Sequence, residues 1–259
     1  MLLVGCGNMA GAMLDGWLAA GLDSQMFTIV DPYRKAAPGG VRLLKTLPDE
    51  AFDMVMLGIK PQMLKDAAPR IRPLAGSDTI VLSILAGTML ATLDGFFPEA
   101  RAIVRVMPNL SARLGKSPIA LVSADINERE RSQVDAMAAP LGTLEWLPDE
   151  SLFDLVTALA GSGPGFVYRF IDALAAAAAT LGLPREQADR LALATVNGSA
   201  QLAAESAHSP ADLARQVASP GGVTQAGLDT LDDDDALLRL MTRTLANARD
   251  RSAQMARDM

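Results

Sequence analysis

The sequence predicts a two-part chain, an α/β domain over residues 1–148 followed by an all-α domain over residues 149–259. Three observations carry that reading. Short apolar runs alternate with helical patterns up to about residue 147. After Pro148 only helical periodicity remains. A glycine-rich signature, Gly5-Cys6-Gly7-Asn8-Met9-Ala10, stands between the first apolar run and the first helical pattern. The chain is 259 residues long, half of it hydrophobic, which is enough to bury two cores.

The strand candidates are Leu2–Val4, Met26–Val30, Met54–Ile59, Thr79–Ile84, Ala102–Val106, Ile119–Val122 and Leu144–Leu147. Runs this apolar, separated by helices, indicate a parallel sheet covered on both faces. The first helix is expected from Met9 to Ala20. Pro148-Asp149-Glu150-Ser151 reads as a helix start at the domain boundary. Beyond it, Gly161-Ser162-Gly163-Pro164, Gly182-Leu183-Pro184 and Ser219-Pro220-Gly221-Gly222-Val223-Thr224 punctuate the helices. Alanines 175–179 favour helix and allow close helix approach. So apolar a helical half predicts burial against a second subunit.

Composition excludes several function classes. A net charge of −7 argues against a nucleic-acid partner. Cys6 is the sole cysteine, so no intrachain disulfide forms, which fits a reducing cytoplasm. His208 is the sole histidine, leaving no material for a His-based metal site, and no metal is expected. No apolar run is long enough for a membrane span, and no basic leader region is evident. A small-molecule substrate is expected.

Gly5–Ala10 has the form G-x-G-x-x-A. Gly5 makes a tight turn, Gly7 admits a pyrophosphate, and Ala10 permits close helix–strand packing. With a second strand ending at Val30-Asp31 this predicts a Rossmann domain that binds a dinucleotide. Cys6 reads as a small filler within that loop. Asp31 is placed to accept hydrogen bonds from ribose hydroxyls, which favours NAD; Arg34 is placed to meet a 2′-phosphate, which favours NADP. Lys60-Pro61-Gln62 (after Ile59), Ala86-Gly87-Thr88 and Met107-Pro108-Asn109 follow strand C-termini, the edge where such sheets bind ligands. Lys60 and Asn109 suit a nicotinamide and its carboxamide. In the helical half, Ser219–Thr224 gathers backbone N–H groups and two hydroxyls at a helix start, a site for a carboxylate or a phosphate.

On Gly5-Cys6-Gly7-Asn8-Met9, Ile59-Lys60-Pro61, Ser83 to Gly87, Arg105-Val106-Met107-Pro108-Asn109, Gly161-Ser162-Gly163-Pro164 and Ser219–Gly222 with Thr224, the chain resembles the pyrroline-5-carboxylate reductases. The resemblance runs from Gly5 to about Leu231. It implies reduction of 1-pyrroline-5-carboxylate to proline with NADPH or NADH. It also implies a helical domain that pairs with a second subunit as a homodimer or within a larger ring, a decamer among the options. The substrate carboxylate is then expected on the N–H groups of Gly222, Val223 and Thr224, with the Ser219 hydroxyl assisting and Gly221 part of the same substrate-binding loop. Thr224 Oγ faces the ring nitrogen, and Lys60 joins it as a catalytic candidate. The chain departs from the pattern at Gly165-Phe166, Leu110-Ser111, Val223 and Asp31-Pro32. The last replaces the family's usual Asn-Arg or Ser-Arg and leaves the choice of NADH or NADPH open. A related imine or 2-ketoacid reductase of the 6-phosphogluconate type relies on a helix lysine, and no lysine follows Lys116. A non-catalytic NAD-binding protein would leave Ser219–Thr224 without a ligand.

Overall fold

The structure is a computed structural model and describes Met1–Arg257. It contains two compact units. The first comprises Met1–Ser162 and the chain from Asn247 onward; the second is Gly163–Ala246.

The first unit is built on an eight-stranded sheet in the order β3-β2-β1-β4-β5-β6-β7-β8. The strands are β1 Leu2–Val4, β2 Thr28–Val30, β3 Arg42–Leu44, β4 Met54–Leu57, β5 Ile80–Ser83, β6 Ala102–Met107, β7 Ser117–Val122 and β8 Gly142–Trp146. Helices α1 Asn8–Ala19, α2 Leu64–Ile71, α3 Leu90–Phe96 and α4 Glu128–Ala138 cover it. The unbroken apolar runs follow from burial on both faces. Leu3, Met54 and Met56 face one core with Met13, Leu14, Trp17 and Val134. Leu2, Val4, Val55 and Leu57 face the other with Leu64, Ile71, Leu93 and Phe97. Neighbours in sequence thus point to opposite cores, the period-two rule of a strand.

The expected all-parallel sheet holds except at one pair. β6 and β7 run antiparallel, with Arg105 opposite Val122. Only Pro108–Lys116 connects them, too short for the crossover that parallel strands need. β3 was absent from the sequence candidates. It is a three-residue edge strand, as short as β1 and β2, but its first residue is an exposed arginine and the rest is only half-buried, so it lacks the unbroken apolar run that marks them. β2 begins at Thr28 because Ser24–Met26 forms a 3₁₀ turn capped by Asp23.

The composition changes at Pro148, but the compact units divide later, between Ser162 and Gly163. The intervening segment packs on the sheet. Asp149 Oδ1 accepts from Ser151 N at 2.6 Å and starts a 3₁₀ turn, followed by α5 Phe153–Val156 and a π-helical stretch Thr157–Gly161. Phe153 is buried among Leu90, Met107, Ala120 and Val122. The second unit is helical: α6 Gly163–Thr180, α7 Arg185–Glu205, α8 Pro210–Val217, α9 Val223–Asp232 and the start of α10 Ala236–Arg257. The alanine run does permit close approach, with Ala175 and Ala178 packing toward Ala188 and Ala192. Much else on these helices is open: Tyr168 is 67% exposed, Leu202 64% and Leu238 65%. Among the described residues no helix is long and apolar enough to cross a membrane.

Arg105, on β6, is buried and lies 3.9 Å from the Phe153 ring centroid. Its Nη1 donates to Glu150 Oε1 at 2.7 Å, and the same oxygen accepts from Leu90 N. Burial draws the Arg105 guanidinium below its usual pKa, and Glu150 opposes that pull. Glu150→Ala leaves this cation unpaired inside the protein. The expected cost is about 3 kcal/mol in denaturant unfolding, with a smaller loss for Glu150→Gln, which keeps an acceptor. Equal stability of Glu150→Ala and wild type would remove this pair from the account of the fold.

Candidate active site

The strand order reverses direction between β1 and β4, with β2 and β3 on one side and β5 on the other. Loops after these strands diverge there and leave a crevice at their C-terminal ends. The crevice is a cleft of about 540 Å³. Of the sequence candidates, Gly5, Cys6, Gly7, Asp31, Ile59 and Lys60 line it.

The floor depends on backbones packed too closely for side chains. Gly5 sits at φ +83°, and a Cβ there would lie 2.9 Å from Gly58 C and O. A Cβ on Gly58 would lie 2.4 Å from Gly5 O and 3.1 Å from the Ala10 methyl. Ala10 is fully packed, as the close helix–strand approach requires. Gly7 differs, because nothing lies within 4 Å of its would-be Cβ. Gly7 is the N-cap of α1 and no side chain caps the helix. The first intrahelical bond is Gly11 N to Gly7 O, so the N–H groups of Asn8, Met9 and Ala10 have no helical acceptor. This open, uncapped turn is a cradle that fits a pyrophosphate.

Asp31 is more committed than the sequence indicated. Its Oδ2 accepts from Cys6 N at 3.0 Å. Its Oδ1 accepts from Tyr33 N at 2.9 Å and Arg34 N at 3.1 Å. Burial pushes the Asp31 carboxyl up, but the N–H groups of Cys6, Tyr33 and Arg34, with the Arg34 charge, hold it below the usual carboxylate range. The side chain therefore ties the Gly5–Ala10 loop to the end of β2. Arg34 Nη1 donates to Cys6 O at 2.9 Å and lies 3.1 Å from Cys6 Sγ. Cys6 is buried, and burial pushes its thiol pKa up against a smaller pull from Arg34, as suits a packing residue.

Lys60 is exposed at the end of β4 and precedes the Pro61–Met63 turn. Gly87, at φ +72°, turns the chain after β5, with Ala86 exposed beside it. Asn109 is buried, and both ends of its amide are occupied. Nδ2 donates to Ala160 O at 2.9 Å, and Oδ1 accepts from Ser111 N at 2.9 Å. Its side chain holds the π-helical stretch rather than standing free for a carboxamide. Ala86, Gly87 and Asn109 do not line the cleft. Lys45, Tyr33 and Gly58 do, and the sequence reading missed them. Gly58 was legible as the glycine ending a strand; Lys45 depended on the unseen β3. Among the described residues no three His, Cys, Asp or Glu side chains are grouped to hold a metal.

In the helical unit, Ser219–Gly222 forms a turn closed by Gly222 N donating to Ser219 O at 2.9 Å. Pro220 precedes Gly221, whose φ is +69°, the residue pattern of a type II turn. Gly222 is then the N-cap of α9, with no side-chain cap. Because the Gly222 N–H is engaged within the turn, the donors left open are those of Val223, Thr224 and Gln225. This corrects the expected set by one residue. Val223 is 94% exposed, so the turn is reachable.

The comparisons fit this geometry. A family model described as pyrroline-5-carboxylate reductase dimerisation matches residues 150–255, and one described as NADP oxidoreductase, coenzyme F420-dependent, matches residues 1–87. A pyrroline-5-carboxylate reductase of Pseudomonas aeruginosa is 32% identical over 99% of this chain and 96% of its own. One from Aquifex aeolicus is 40% identical over 73% of this chain and 70% of its own. Among solved structures, a pyrroline-5-carboxylate reductase from Coxiella burnetii superposes with a TM-score of 0.90 at 25% identity, covering 98% of this chain and 97% of that one. The Plasmodium falciparum pyrroline carboxylate reductase with NADP bound gives 0.84 at 25% identity, covering the same 98% and 97%. With a cradle for a dinucleotide in one unit, an open helix start in the other and likeness along nearly its whole length, the chain belongs to the pyrroline-5-carboxylate reductase family.

Proposed function

We infer that this protein reduces 1-pyrroline-5-carboxylate to proline with NADPH or NADH. The observation that carries the reading is the pair of helices, α1 and α9, that start at glycine and are left without a side-chain cap. One suits a pyrophosphate and the other a substrate carboxylate. A nicotinamide dinucleotide held by these residues would supply the hydride.

The residues of this chain then do the following. The N–H groups of Asn8, Met9 and Ala10 hold the pyrophosphate, with the Lys60 ammonium adding positive charge at the end of β4. Val223, Thr224 and Gln225 N–H groups hold the substrate carboxylate, with Ser219 Oγ beside them. Thr224 Oγ hydrogen-bonds the ring nitrogen and fixes the face of the C=N carbon that is attacked. That carbon takes the hydride, the C=N π pair passes to nitrogen, and nitrogen keeps the proton with which a pyrrolinium ion arrives. No side-chain acid is needed, and catalysis rests on positioning and on charge held by the backbone. A homodimer through the open apolar faces of the helical unit fits the dimerisation family it matches. A decamer is a further assembly of such dimers, and the lone cysteine fits a cytoplasmic setting.

Turnover of pyrroline-5-carboxylate with NADH and with NADPH tests the function, and no turnover with either refutes it. Gly7→Val is expected to fold, since its side chain enters open space, yet to lose dinucleotide affinity by about a hundredfold as the N–H groups are covered. Normal affinity in the folded variant would remove this turn from the cofactor site. Thr224→Ala is expected to lower kcat/KM by roughly tenfold to a hundredfold while dinucleotide Kd stays the same. Unaltered kinetics would make the loop a helix corner. Light scattering at micromolar concentration is expected to give at least a dimer, and a stable monomer would contradict the assembly.

A further inference from the structure

The β2–β3 edge of the cleft carries charge that binding of a pyrophosphate does not use. We propose that Lys45, with Arg34, seats the 2′-phosphate of the adenosine half and sets this enzyme toward NADPH, while Asp31 serves as an anchor of the loop. The proposal rests on the cleft reading above and adds its specificity.

Position comes first. Val30 pairs with Leu44, and Asp31 N donates to Leu44 O at 3.1 Å, so Lys45 emerges beside the end of β2. That end is where a Rossmann domain meets the adenosine ribose. Tyr33, lining the same part of the cleft, is 84% exposed and offers a flat ring on which an adenine can lie. Lys45 Nζ reaches Pro32 O at 3.3 Å and Asp31 O at 3.4 Å and also contacts Arg34 O. The ammonium therefore stands over the Asp31–Arg34 turn, at the rim of the cleft.

Charge comes second. An acid at this position ordinarily selects against a 2′-phosphate, because two anions would face each other. Here three backbone N–H groups already occupy the Asp31 carboxylate, and Arg34 lies alongside. One compensated carboxylate stands against Lys45 at the rim and Arg34 behind the Cys6 turn, and Arg70 adds a further cation to the cleft lining. The carbonyl contacts of Lys45 are neutral and exposed, so a doubly charged phosphate can replace them with stronger, charge-assisted bonds. Arg34 keeps Nε and Nη1 on Ala36 O and Cys6 O, which leaves Nη2 as its donor for the phosphate.

The test is equilibrium binding of NADPH and NADH to the enzyme without substrate, by calorimetry, for wild type, Lys45→Gln and Lys45→Arg. Wild type is expected to bind NADPH more tightly. Lys45→Gln keeps a donor for the turn carbonyls but loses the charge. It is expected to reduce the NADPH-to-NADH affinity ratio by about tenfold, a value that allows for exposure of the site, and Lys45→Arg to restore it. Tighter binding of NADH by wild type overturns the proposal. So does a Lys45→Gln variant that weakens both dinucleotides equally, which would make Lys45 a brace of the turn, or one that changes neither. Failure of the cleft reading looks different, because Gly7→Val would then leave both affinities intact.

Discussion

The contact between the backbones of Gly5 and Gly58 is the constraint from which the shape of the cleft follows. β1 and β4 are neighbours at the point where the sheet's strand order reverses. Their C-terminal ends approach so closely that a Cβ on Gly58 would lie 2.4 Å from Gly5 O. With no side chain on either, α1 can begin at once beyond β1 and pack its Ala10 against the end of β4. A methyl at either glycine would push the helix away from the sheet edge and take its N–H groups out of the crevice. Gly5 carries the further demand of a left-handed φ, which other residues resist. Gly7 has neither constraint, since a side chain there would enter open space. Two glycines of one motif thus answer to different physics, Gly5 to folding and Gly7 to the binding role proposed for its turn.

Helix capping varies along the chain: α2, α3 and α7 have no side-chain cap and N-cap residues Met63, Met89 and Pro184, whereas α1 and α9 have glycine there. α4 and α8 are closed by full capping boxes, Asn127 with Glu130 and Ser209 with Asp212. Such caps satisfy the orphan donors of the first turn and stabilise the protein by about 1 kcal/mol each. α1 and α9 forgo that gain. Both start at glycine, both lack a side-chain cap, and neither has an acidic residue in its first turn. An acid there would favour the helix dipole but compete with an anionic ligand for the same N–H groups. An uncapped start at a glycine N-cap on each unit fits the two anions proposed above.

Much of this was readable before any coordinates. The seven other strands, the first helix and both glycine turns stand out because each has a local cause: two-sided burial, a helical stripe, or backbone freedom at glycine. What escaped lacked one. β3 has three residues at a sheet edge and owes its existence to Val30 and Thr28 beside it. The antiparallel β6–β7 pair follows from the length of a connection, not from the strands themselves. The hydrogen-bond partners of Asp31 and Asn109 were not legible in full, for a shared reason. A sequence gives the acceptor or donor a residue offers, but not the neighbours that claim it first. Cys6 N and Ser111 N are such neighbours, and neither could be named from spacing.

The division between the units illustrates the same limit and gives Asn109 a purpose. Composition turns helical at Pro148, yet the chain stays with the sheet until Ser162. Phe153 is buried under Arg105, and Asn109 Nδ2 donates to Ala160 O. The held carbonyl lies in the π-helical stretch, where bonds to the fifth residue replace the usual ladder; Ser162 N donates to Thr157 O at 2.9 Å. π-turns of this kind are uncommon and need outside support to persist. Asn109 gives that support from the loop after β6, and Gly161 allows Met107 to approach, its would-be Cβ lying 3.2 Å from Met107 Sδ. The loop that ends a sheet strand at the cofactor edge and the last turn before the helical unit are thereby fixed to each other by one amide.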